Sequence, residues 1–115
     1  MSEMETRYTS LFPARCQSKL PAVAKKIDGE KFTDDQSVFA IRRGAFLDVG
    51  IKTGRLVEVA HLEAAPKTTD KSPDFIGLTD GLKSGVRHRV AVWLKTISQG
   101  NLAGRKCLRV ALTPL

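Results

Sequence analysis

No acidic residue occurs between Gly81 and Leu115, although that stretch carries Lys83, Arg87, Arg89, Lys95, Arg105, Lys106 and Arg109. The whole chain has 19 Lys and Arg against 12 Asp and Glu, so its first 80 residues balance. The net charge of +7 therefore lies entirely in the C-terminal segment. An acid-free basic block is the electrostatic footprint of a surface for phosphates or for an acidic partner. Long apolar runs are also lacking. None approaches the roughly 20 residues that span a bilayer, which points away from a membrane partner. The first ten residues, "MSEMETRYTS", have no apolar signal core, so the expected location is the cytoplasm. Cysteine is scarce. Cys16 and Cys107 are far apart, which suits reduced thiols, with a single disulfide as the alternative. No Cys, His and carboxylate set has metal-ligand spacing, and "DGLKSG" (80–85) lacks the length and order of a P-loop. No metal or cofactor is implied.

The 115 residues suffice for one domain with one modest core. Residues 1–14 read as a loosely ordered lead-in and 15–115 as a single domain. In "SKLPAVAKKIDG", Leu20, Val23, Ala24 and Ile27 share one face at helical spacing. Pro21 falls in the first turn, and Gly29 ends the run. This predicts a short helix over about 19–28. Strand patterns follow at 37–43, 45–52, 54–64, 74–78, 86–97 and 105–112. Residues 65–73 are polar loop, and "SQGNLAG" joins the last two strands. The expected fold is mainly β (α+β). It would be a small curved sheet or an OB-like barrel of five to six antiparallel strands, with one short N-terminal helix.

Side chains alternate along a strand, so the last two strands can be sorted into faces. Val86, His88, Val90, Val92 and Leu94 share one face of the first. Arg87, Arg89, Ala91, Trp93 and Lys95 share the other. In the second, Lys106, Leu108, Val110 and Leu112 oppose Arg105, Cys107, Arg109 and Ala111. Paired as a hairpin, the strands gather arginines around Trp93, the chain's one tryptophan. A flat aromatic lets an unpaired base stack, and the cations hold its phosphates. The candidate binding residues are Arg87, Arg89, Trp93, Lys95, Arg105, Lys106 and Arg109. The competing arrangement buries Trp93 in a second core beneath the N-terminal helix, with the arginines at its rim. His61 and His88 are the two histidines, and with a nearby lysine they offer an acid–base pair for RNA cleavage. The pattern places His88 on the aliphatic face, which favours a packed histidine and a protein that is not an enzyme. Cys107 on the basic face reads as a packed cysteine.

Lys71, Pro73, Asp74, Phe75 and Gly77, followed by Trp93, Lys95, Thr96 and Gly104, form a recognisable cadence. It resembles small phage and plasmid proteins that share K-x-P-D-(F/Y)-x-G, then a strand with W-x-K-T, a glycine-bearing turn and a final L-x-(L/V) strand. The resemblance covers about residues 70–112. Cys107 stands where those proteins usually carry an aromatic. A mobile-element origin is what the resemblance implies. It also frames the expected partners: single-stranded DNA or RNA, or a host or defence protein, CRISPR effectors included. A homodimer is compatible with either.

Overall fold

The computed structural model describes residues 6–13, 20, 22, 26, 28–34, 36–79, 81, 85–101 and 103–115. These residues form eight strands: β1 (Arg7–Pro13), β2 (Glu30–Thr33), β3 (Val38–Arg43), β4 (Phe46–Thr53), β5 (Leu56–Ala64), β6 (Phe75–Leu78), β7 (His88–Thr96) and β8 (Lys106–Pro114). Each pairs antiparallel with the next, and β8 returns to β1, so the sheet closes into a barrel. Closure removes the exposed strand edges through which open sheets aggregate.

The mainly-β barrel class agrees with the sequence pattern, and three expectations are corrected. There are eight strands rather than five or six, in a simple up-and-down order rather than an OB-like one. Residues Arg7–Pro13, read as part of a loose lead-in, form β1 and close the barrel against β8. Among the described residues there is almost no helix, so what they show is mainly β. Most of the helix expected over 19–28 lies outside the described residues, of which Ala22 alone is helical.

Every strand sends an apolar side chain inward. Leu11, Phe32, Val38, Val49, Leu62, Phe75, Val92 and Val110 are all buried in one interior cluster. A fully buried side chain of this kind contributes roughly 1.5–3 kcal/mol. Two hairpins set the register. Gly44 (φ 59°) and Gly54 (φ 62°) open two-residue turns, where a positive φ matches the twist of the flanking strands.

The wall is not uniformly polar outside. Phe39 and Ile41 of β3 face outward yet are buried, packed with Leu20 and against Val57 and Val59 of β5. This outer cluster explains why neither face of β5 reads as polar. The Phe39 ring lies across Gly50, on the space a Cβ there would occupy. Two polar side chains face inward near the end where β5 and β7 begin. Among the described residues, Glu58 Oε2 and His88 Nδ1 are buried there without a hydrogen-bond partner.

Candidate nucleic-acid interface

The β7–β8 ladder fixes the candidate face. It runs from His88 opposite Pro114 to Thr96 opposite Lys106, and places Trp93 beside Arg109 and Ala91 beside Ala111. Val90, Val92, Leu108, Val110 and Leu112 turn into the barrel, as their alternation requires. Arg89, Ala91, Trp93 and Lys95 therefore point outward, together with Cys107, Arg109 and Ala111. Across the other side of β8, Tyr8 pairs with Ala111 and Ser10 with Arg109. So β1 adds outward Tyr8 and Phe12 to the same wall, 57% and 44% exposed.

Trp93 is half-buried, and most of the N-terminal segment that could cover it lies outside the described residues. In that segment Leu20 packs on Phe39 and Ile41 of β3, on the far side of the barrel. What covers one edge of the indole is the 65–73 loop: Trp93 Nε1 donates to the Lys71 carbonyl at 2.8 Å. Asp74 ties the same loop down. Its Oδ2 accepts the Leu94 N–H at 2.8 Å, and its Oδ1 meets Lys67 Nζ at 3.2 Å. β6 begins only at Phe75, so this carboxylate continues the ladder with a side chain. Burial pushes the Asp74 carboxyl up. The Leu94 N–H, the Lys67 ammonium and the charge of Lys95 outweigh burial and hold it below its usual range.

Beside the indole lies an open cavity of about 310 Å³ lined by Tyr8, Asp70, Lys71, Trp93, Lys95 and Arg109. The Arg109 guanidinium sits over the Tyr8 ring, 5.3 Å from its centroid. Such a contact at an exposed site is worth roughly 0.5–1 kcal/mol and holds both groups in place. The cavity thus combines two aromatic rings with three cations and one carboxylate.

The remaining predicted residues scatter. Arg89 lines a neighbouring groove of about 820 Å³ with His61, Glu63, Ile76, Leu78 and Ala91. Arg87 precedes β7, and its Nε donates to the Thr79 carbonyl at 3.4 Å. Arg105 lies in the β7–β8 connection. Lys106 occupies an inward register position at the barrel's end, and its Nζ donates to Thr96 Oγ1 at 3.1 Å. Of the seven predicted residues, Trp93, Lys95 and Arg109 share one cavity. Cys107 carries a free thiol and is half-buried; Cys16 lies outside the described residues.

The histidines do not meet. His88 turns inward, while the His61 side chain is 76% exposed on the outer wall. His61 is instead held by Asp48, which accepts from His61 Nδ1 at 2.7 Å and from Arg43 Nη2 at 2.8 Å. Asp48 is buried on the outer wall, and two donors offset its desolvation. No group of three or more His, Cys, Asp or Glu among the described residues could hold a metal ion. No helix among them is long and apolar enough to cross a membrane.

Tyr8, Phe12 and the Asp48–His61 pair escaped the sequence reading. Tyr8 and Phe12 do alternate with Thr9 and Leu11, the one signal that could have revealed β1. No family model matches the chain, and neither a curated protein nor a solved structure matches it.

Proposed function

We propose that this protein binds single-stranded nucleic acid without catalysing a reaction, through the outer wall formed by β7, β8 and β1. One observation carries the reading: Tyr8 and Trp93 line a single open cavity in which three cations, Lys71, Lys95 and Arg109, outnumber the one carboxylate, Asp70. Aromatic rings accept any base by stacking, worth roughly 1–3 kcal/mol per base, and cations beside them hold the phosphates. The acid-free sequence after residue 80 supports the same reading, because the surrounding Arg89, Arg105 and Lys106 add positive field and no nearby acid of that segment cancels it. An accessory protein of a phage or plasmid, acting in the cytoplasm of a bacterial host, is the setting that fits.

Trp93 is the only tryptophan, so its fluorescence reports directly on the cavity. Titration with oligothymidylate at low salt should quench it, and the binding should weaken steeply as salt rises. Unchanged fluorescence together with no mobility shift at low salt rejects the reading. If a Lys95→Glu, Arg109→Glu variant also releases a protein captured by the wild type, the wall is a protein-binding face.

A further inference from the structure

The cavity beside Trp93 does not end at β7. Ile76 of β6, Ala91 of β7, Ala111 of β8 and Tyr8 of β1 lie directly opposite one another in one cross-strand row. At about 4.8 Å per strand, the row spans about 14 Å. Its centre, Ala91 and Ala111, is low, and its far side opens into the 820 Å³ groove. The groove floor is apolar: Ile76 and Leu78 are 46% and 47% exposed. Its polar groups are His61, Glu63 and Arg89.

Glu63 is the telling residue. A carboxylate repels phosphate, so it does not serve the backbone of a bound strand. Among the described residues no side-chain hydrogen bond or ion pair engages either Glu63 or Arg89. A carboxylate has two acceptor oxygens and accepts paired donors. Among the four DNA bases, guanine alone presents two adjacent donors, N1–H and N2–H, on its pairing edge. Its adjacent major-groove edge offers O6 and N7, the acceptors that arginine reads bidentately. Glu63 lies opposite Ile76 on one side of β6, and Arg89 lies opposite Leu78 on the other. Ile76 would meet the base's face between them. The His61 ring, held by Asp48, forms the wall next to them.

We propose that this groove is a second base pocket, selective for guanine, reached by a strand that crosses the Ala91–Ala111 saddle from the Trp93 cavity. The proposal rests on the nucleic-acid reading of that cavity and deepens it. The first pocket stacks any base, and the second reads one.

The test compares fluorescein-labelled oligothymidylate with the same strand carrying guanine at alternate positions, by anisotropy at one fixed salt concentration. The guanine-bearing strand should bind roughly tenfold tighter, the discrimination of one good bidentate contact. Glu63→Gln should bring the two strands within about twofold while oligothymidylate affinity stays close to that of the wild type; Arg89→Ala should equalise them likewise, while its lost charge weakens both strands together. Equal affinity of the wild type for both strands overturns the guanine pocket and leaves the stacking cavity standing. So does a preference that survives in both variants. Failure to bind either strand at low salt overturns the nucleic-acid reading itself, and the pocket with it. Circular dichroism of each variant separates loss of preference from loss of fold.

Discussion

The indole N–H of Trp93 is hydrogen-bonded to the carbonyl of Lys71, 22 positions earlier in the chain. The bond joins the two halves of the sequence cadence that begins at Lys71 and resumes at Trp93. It also decides how the ring is presented. With its N–H turned to the loop, the indole has one edge committed, and it contributes to the wall of the cavity shared with Tyr8. Replacing Trp93 with Ala should therefore weaken oligonucleotide binding about tenfold or more, while Trp93→Phe keeps a stacking surface and loses less. Fluorescence anisotropy with labelled oligothymidylate measures both. Equal losses for Phe and Ala would mean that the N–H anchor, and not stacking, is what binding needs.

Asp74 anchors the same loop, and its effect should depend on pH. Its carboxyl lies below the ordinary value of 3.8 in the folded protein. Folding therefore favours the carboxylate. The stabilisation is complete above the unfolded-state value and is lost as pH falls from there through the lower folded-state value. Asp74→Ala should cost about 2 kcal/mol at neutral pH, in the range of hydrogen bonds to charged groups. Thermal melts of wild type and variant should draw together as the pH falls from 3.8 through the lower folded-state value. A gap that stays constant through that window would show that packing, and not the carboxylate's charge, is what the residue supplies.

What the sequence made legible follows from periodicity. The six strands from 37 onward alternate or run apolar, and all six are present, because a barrel wall with a packed interior imposes period two on any strand that lines it. β1 was hidden because its inward positions include Arg7, Thr9 and Pro13 beside Leu11, so no clean aliphatic face appears. β2 has only four residues and a single buried hydrophobic, Phe32. The cost of missing β1 fell on the site. The basic half of the cavity was legible in the β7–β8 register, but Tyr8 reaches it from 85 positions before Trp93. Only barrel closure makes them neighbours.

The outer cluster on β3 and β5 gives a test of the fold that leaves the cavity untouched. Gly50 faces outward opposite Phe39, whose buried ring occupies the space a side chain would need. A Cβ at this position forces that ring aside, and a packed aromatic has nowhere to go without disturbing Ile41 and Leu20. Gly50→Ala should destabilise the protein by about 2 kcal/mol, typical of overpacking. Urea denaturation would measure it. A variant as stable as wild type would mean that the outer cluster is loosely packed.

Arg87 and Arg109 looked equivalent in the sequence, and the structure separates them. Arg109 lies over Tyr8 and lines the cavity. Arg87 lies before β7 begins, with its guanidinium donating to the Thr79 carbonyl. If phosphates are held at the cavity, Arg109→Glu should reduce affinity strongly. It should also lower the slope of log affinity against log salt by about 0.7 for each phosphate that the variant fails to neutralise. Arg87→Glu alters only the distant field, so its effect should be small and should vanish at moderate salt, where screening acts within about 10 Å. Titrations of both variants at several salt concentrations distinguish direct phosphate binding from field. Equal losses that fade together with salt would mean that the wall binds by net charge alone, and that the Tyr8–Arg109 arrangement has no particular role in binding.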